Sequence, residues 1–208
     1  MTRVNGRDHD GIVSPLGGRS VQSHTSPEPT SATVTVLTFE VELGSMIAGA
    51  TDRELLFVEF SDRPKLDMRL SRLRARTTGG FCDGNNAILE SLRKELDLYF
   101  AGDLKAFTTA VKPLGTPFQQ RVWRALMAIP FGQTMSYGAL ADQLGCPAAV
   151  RAVASANADN YVAILIPCHR VIGRNGKLTG YAGGLHRKRH LLDLEARVVG
   201  RPVQSRMF

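Results

Sequence analysis

Cysteine is scarce in this 208-residue chain, with only Cys82, Cys146 and Cys168. The number is odd and no two lie close together, which argues against a disulfide framework and against a Cys-x-x-Cys zinc site, so no metal is expected. A reducing, cytoplasmic setting is the expectation, with nucleoid association if the source is bacterial. No apolar run approaches the roughly 20 residues that a membrane span requires, so no membrane partner is expected. The N-terminus lacks the charged, apolar and cleavage regions of a signal peptide in their order. Acids are scarce in one half only. Residues 116–208 hold 4 Asp+Glu against 12 Lys+Arg, a balance of +8, whereas residues 1–115 hold 15 against 14, a balance of −1. The positive charge thus belongs to the second half, and a polyanion, nucleic acid first, is the partner class such a half attracts. A solvated basic surface would carry the same charge, so the balance alone does not decide.

What is present is enough for a core, since 43% of the residues are hydrophobic. Residues 1–31 are rich in Ser, Gly, Pro, Thr and Arg, show no apolar period and read as a flexible tail. Thr33–Leu43 alternates and predicts a strand, as does Leu55–Phe60, with Gly44–Arg53 as the connection between them. Lys65–Arg74 predicts a helix, Thr77–Asn85 a Gly-rich loop and Asn86–Phe100 an amphipathic helix stopped by Gly102. Phe107–Val111 predicts a further strand. This half reads as a small α+β domain without evident chemistry, over residues 32–112. Residues 113–198 read as mostly helical. Thr116-Pro117 opens a helix, and Ser136–Leu144, Gly145 and a helix from Pro147 to about Ala156 give a helix, a short turn and a helix carrying Arg151. Such hairpins often serve no DNA at all; the basic balance of this half favours the DNA reading. Gly173–Gly184 reads as a hairpin or wing, and His186–Ala196 as the closing helix, with residues 199–208 a tail. Trp123 and Phe118 read as core residues.

The stretch Ile164-Leu165-Ile166-Pro167-Cys168-His169-Arg170-Val171 carries the chemistry. Its apolar run supplies a rigid support, and cations beside a thiol favour the thiolate, which is the nucleophile. A cysteine after an apolar run is most often an inert core residue. His169 and Arg170 are residues a core would rarely accept, which sets Cys168 apart. Adjacent side chains do not face one another on a helix or strand, so direct contact between His169 and Cys168 is awkward; a bridging water or a sharp turn would solve this. The histidine also needs an orienting acid. Glu195 and Asp193 are the only acids after Asp159, and Glu195 is the candidate.

These residues resemble a known family, the O6-alkylguanine-DNA alkyltransferases, or methylated-DNA–protein-cysteine methyltransferases. The likeness runs through Gly115-Thr116-Pro117-Phe118-Gln119, Val122-Trp123, Ile129-Pro130, Gly132, Ser136-Tyr137-Gly138, Leu140-Ala141 and Arg151-Ala152-Val153. It continues through Ile166-Pro167-Cys168-His169-Arg170-Val171, Gly180-Tyr181-Ala182-Gly183-Gly184, Lys188, Leu191-Leu192 and Glu195. The resemblance implies an α+β fold, with a small ribonuclease H-like N-terminal domain and a C-terminal winged helix-turn-helix domain that holds the cysteine. It implies a monomer that acts on double-stranded DNA, flips an O6-alkylguanine out of the stack and moves its alkyl group to Cys168 in a single turnover, without cofactor. O4-alkylthymine is a further implied substrate. By the same resemblance His169, held by Glu195, takes the thiol proton through water, and Tyr137 serves the leaving base. Arg151 fills the gap in the stack through the minor groove, with Ser136, Tyr137 and Ala152 on the DNA side. Asn160 braces the turn before the cysteine, and Tyr181, Ala182 and Val171 line the pocket. Tyr161 stands where many relatives have proline, which predicts altered turn stiffness, and Ala182 where some have serine. Bland readings remain for each: Tyr137 as packing, Arg151 as surface charge, Asn160 as a turn residue. Three other functions compete. A DNA-binding protein without transfer activity would lack the cysteine, a thiol hydrolase would leave the helical hairpin unexplained, and an alkylation-sensing regulator would need a metal domain.

Overall fold

A computed structural model describes Met1 and residues 32–202. The N-terminal tail and the end of the C-terminal tail lie outside the described residues.

The first half is a four-stranded sheet with two helices. Strands β1 (Val34–Val41), β2 (Gly44–Ala50), β3 (Leu55–Phe60) and β4 (Phe81–Asp83) lie in the order β3-β2-β1-β4, with β4 parallel to β1 and the other pairs antiparallel. The expected connection over Gly44–Arg53 is therefore mostly a strand. Its small residues hide it from a hydrophobic pattern, yet they are what the sheet needs here. A Cβ on Gly49 would stand 2.1 Å from the Phe57 ring, so only glycine lets that ring cross the strand. The Thr77–Asn85 loop likewise contains β4, which is too short to show a period.

Helix α1 (Leu66–Arg74) follows β3, and α2 (Ala87–Ala101) follows β4. Asn86 caps α2 by accepting from the Leu89 amide at 3.0 Å, and Gly102 ends it in the left-handed region. The face bearing Leu89, Leu92, Leu96 and Tyr99 is fully buried, each leucine contributing roughly 1.5–3 kcal/mol relative to exposure. Phe107–Val111 forms no strand, only a bridge from Val111 to Leu55. The amides and hydroxyls of Thr108 and Thr109 instead donate to the Glu95 carboxylate on α2, which replaces a sheet ladder as their partner.

The second half holds α3 (Pro117–Met127), β5 (Met135–Ser136), α4 (Tyr137–Gln143) and α5 (Val150–Ala158), a 3₁₀ turn over Cys168–Arg170, β6 (Val171–Ile172) and α6 (Leu185–Val198). Thr116 and Gln119 form a capping box at α3, with Pro117 in the first turn. Gly145, at φ 70°, turns the chain after α4, and a single 3₁₀ turn over Pro147–Ala149 leads into α5. Strand β6 pairs with β5 in parallel and not with its own continuation, so Gly173–Gly184 is a looped excursion and not a hairpin of strands. Among the described residues, no helix is long and apolar enough to cross a membrane.

The two halves share one buried core. They are joined where the edge of the sheet meets the segment before Cys168: the Val58 amide donates to the Tyr161 carbonyl and the Ala163 amide to the Val58 carbonyl, both at 2.9 Å. The Tyr161 ring is buried edge-on against Trp123 and under the Arg69 guanidinium, 4.1 Å from the ring centroid. Trp123 is a core residue as expected, its indole N–H donating to the Ala156 carbonyl at 2.8 Å.

Candidate active site

Cys168 opens the 3₁₀ turn at the end of the apolar run, with its side chain lining a small cleft that opens to solvent. Asn160 fixes the approach. Its side-chain amide donates to the carbonyls of Val162 (3.2 Å) and Ile166 (2.9 Å) and to Cys168 Sγ (3.2 Å), while its oxygen accepts from the Val162 amide at 2.9 Å. Within this loop Ile164 adopts φ 71°, a left-handed conformation that a β-branched residue takes only under constraint, at a cost of about 1–3 kcal/mol.

His169 and Arg170 are buried, contrary to the expectation that a core would reject them. Glu195 on α6 is the reason. Its carboxylate accepts from His169 Nε2 at 2.8 Å, from Arg170 Nε at 3.0 Å and Nη2 at 2.9 Å, from the Tyr99 hydroxyl at 2.8 Å and from the Gly132 amide at 2.9 Å. Burial works against this charge, but the hydrogen bonds and charges of His169 and Arg170 hold the Glu195 carboxyl down at about 2. Its ionisation does not depend on a charged histidine, because Arg170 forks onto it. Burial pushes the His169 imidazole below its ordinary value, against the pull of Glu195. With Nε2–H donating to the carboxylate, Nδ1 carries the free lone pair; it is buried and meets no hydrogen-bond partner among the described residues.

The cations that act on the thiol are not its sequence neighbours. Burial pushes the Cys168 thiol up from its ordinary value, opposed by the Asn160 hydrogen bond and by the charges of Lys188 and Arg63. Arg170 is turned to Glu195 and to the Ile129 carbonyl, at 2.6 Å. Lys188 is fully buried; its ammonium donates to the carbonyls of Val171 (2.6 Å) and Thr179 (2.7 Å), and burial lowers its pKa to about 8. Arg63 follows β3, in the half that showed no chemistry in sequence. With Glu59 and Phe60 it lines the same cleft as Asn157, Asn160 and Cys168.

Tyr181 and Ala182 also line this cleft, with the Tyr181 hydroxyl buried and unpartnered among the described residues. Val171 is not among the lining residues: its side chain is wholly buried and its carbonyl serves Lys188. Tyr137 is half-buried at the start of α4, its hydroxyl donating to the Gly180 carbonyl at 3.4 Å. Ser136 caps α4 through the Ala139 amide at 3.0 Å. Arg151 and Ala152 are exposed in the first turn of α5, whose other end supplies Asn157 and Ala158 to the cleft. No three His, Cys, Asp or Glu side chains group to hold a metal ion among the described residues.

Fold and site together define a mixed α+β protein with one buried cysteine, held by an asparagine beside a histidine–glutamate pair. Residues 117–197 match the family model described as 6-O-methylguanine DNA methyltransferase, DNA binding domain. The chain belongs to the methylated-DNA–protein-cysteine methyltransferase family. It is 42% identical over 158 residues to the Methanosarcina acetivorans protein of that name, covering 76% of this chain and 95% of that one. It is 59% identical over 101 residues to the Mycobacterium tuberculosis protein of that name, a match that takes in 49% of this chain and 61% of the relative's length. Among solved structures it is similar to Mycobacterium tuberculosis OGT in complex with DNA, with 39% identity, a TM-score of 0.69, and coverage of 79% of this chain and 94% of that one.

Proposed function

We propose that the protein repairs DNA by direct reversal, taking the alkyl group of O6-alkylguanine onto Cys168 in one irreversible turnover. The observation that carries this reading is the cleft itself: a thiol with a hydrogen-bond donor on sulfur, beside a histidine whose free nitrogen faces no competing partner. The thiol proton passes through water to His169 Nδ1, and Glu195 stabilises the imidazolium that forms. The sulfur then attacks the alkyl carbon. A C–S bond forms as the carbon–O6 bond breaks, the leaving guanine is neutralised by a proton from the Tyr137 hydroxyl, and the phenol is reprotonated through solvent as the His169 imidazolium gives up the thiol's proton. The protein ends as an S-alkylcysteine, without a cofactor. O4-alkylthymine is a second substrate of the same chemistry.

The same reading assigns residues 32–112 to a ribonuclease H-like N-terminal domain and residues 113–198 to a winged helix-turn-helix domain built on α4 and α5. A monomer binds duplex DNA in the cytoplasm through the minor groove, with Ser136, Tyr137 and Ala152 on the DNA and Arg151 in the space of the flipped base. Asn160, Tyr181 and Ala182 shape the pocket, with Val171 behind it as the carbonyl partner of Lys188. Exposure of Arg151 at one end of α5, with the cleft at the other, supports this arrangement.

The test is transfer of labelled methyl from O6-methylguanine DNA. Label is expected on Cys168 at no more than about one methyl per protein, and none on Cys168→Ala. Repeated turnover, or full transfer by the variant, sinks the reading.

A further inference from the structure

We propose that Arg63 is a positioning residue for Cys168: it clamps the Asn160 turn against the sulfur and supplies positive charge to the thiolate from the first half of the chain. The inference rests on the repair reading for its purpose, but its electrostatic content stands on geometry alone.

Arg63 lies in the turn after β3, where its amide donates to the Phe60 carbonyl at 3.1 Å. Its guanidinium reaches across to the second half. Nη2 donates to the Ala158 carbonyl at 2.9 Å and Nη1 to the Asn160 carbonyl at 3.4 Å. Ala158 is the last residue of α5, so this contact satisfies a helix-end carbonyl that has no partner within the helix. Asn160 is the residue whose side chain donates to Sγ. Holding its backbone therefore holds the donor on the sulfur.

The charge follows from how Glu59 is shared. Its carboxylate, 1% exposed, takes Arg63 Nη1 at 2.9 Å and Arg69 through Nε at 3.0 Å and Nη2 at 2.7 Å. One buried carboxylate thus serves two guanidinium groups. Asp159, on the far side of Arg69 at 3.7 Å, is 39% exposed and screened by solvent. The balance beside the cleft is positive, and Arg63 is the member that lines it with Cys168. The other titratable groups that face the sulfur are Lys188 from α6, Tyr137 from α4 and Tyr181 from the Gly-rich loop, with His169 next in the chain. Of these, Lys188 alone adds positive charge near neutral pH, and its hydrogen bonds go to carbonyls.

The test reads thiol ionisation directly, in the full chain carrying Cys82→Ser and Cys146→Ser. Alkylation of Cys168 by iodoacetamide is followed against pH, beside the single-turnover rate on duplex DNA holding O6-methylguanine. Arg63→Gln is expected to move both profiles about one pH unit upward, which is about a tenfold loss of rate near neutrality. Arg63→Lys keeps the charge and loses the two-pronged grip, so its profile is expected to move upward by clearly less than that of Arg63→Gln while its thermal stability falls. If Arg63→Gln does not fold, Glu59→Gln decides: it releases the Arg63 charge and is expected to move the profiles downward. An unmoved iodoacetamide profile in folded Arg63→Gln overturns the proposal, as does a displacement in Arg63→Lys equal to that in Arg63→Gln. Absence of methyl transfer by the parent, with the iodoacetamide shifts as expected, overturns the repair reading and leaves the Arg63 electrostatics standing.

Discussion

Two buried carboxylates flank Cys168, and they are satisfied in opposite ways. Glu195 gathers its donors onto itself: an imidazole, a guanidinium, a phenol and a backbone amide all end on it. Glu59 is divided between two arginines, and both reach past it to the carbonyls of residues 158–160. A closed cluster fixes one side chain in place and keeps its own charge. A shared carboxylate leaves donors to spare, and these grip the neighbouring backbone. Beside the sulfur one carboxylate orients an imidazole, and the other helps to hold a turn.

The sharpest way to break this contrast is to remove each carboxylate. Glu195→Ala strands Arg170, Tyr99 and His169 in the core and is expected to destabilise the fold by about 3–5 kcal/mol. Glu59→Ala is expected to cost less in a denaturant titration, because Arg63 and Arg69 keep their carbonyl partners. Equal losses would show that the two clusters are equivalent. Asn160→Ala comes next. It removes the donor from Sγ and three turn contacts, and a drop of about tenfold or more in methyl transfer at neutral pH is expected from the rise in the thiol pKa. An unchanged rate would detach the turn from the chemistry.

Acid probes the Glu195 side. The His169 pKa is depressed by folding, so the unfolded chain takes up its proton first, and stability is lost as pH falls through about 6.5. The Glu195 pKa is likewise depressed, to about 2, so its contribution is present above the ordinary carboxylate range and fades as pH falls from about 4.3. The melting temperature is expected to decline from pH 7.5 to 5.5 and more steeply below 4.5, with Glu195→Gln flattening the lower part. A flat profile over both windows would mean the pair is not coupled to folding. The smallest effect belongs to Tyr99→Phe, which removes one of several donors to Glu195 and should cost about 1 kcal/mol.

Cys168, His169 and Glu195 are legible in the sequence because two are adjacent and the third is one of few acids in its half. Helices α2 to α6 are legible from caps and apolar spacing. The other wall of the cleft is not. Arg63 and Ala158 lie 95 positions apart, and nothing local marks Arg63 as different from the other arginines of its half. Tyr99 reads as one more apolar position on α2 until its hydroxyl is seen to meet Glu195. Strand β2 escapes notice because it is rich in glycine and alanine, and Gly49 is required by the close approach of Phe57, which propensity does not register. The charge of His169 and Arg170 is misread for a related reason: residue type predicts exposure only when no buried partner is waiting.

The backbone bridge between Val58 and residues 161–163 also bears on solubility. Strand β3 reads Leu-Leu-Phe-Val-Glu-Phe, is buried along its whole length and lies at the sheet's edge. Unpaired, such a strand is a template for intermolecular pairing and aggregation. Here the segment around Val111 covers one end of that edge and the active-site loop the other, so part of the guard on solubility is made of residues that also place the thiol.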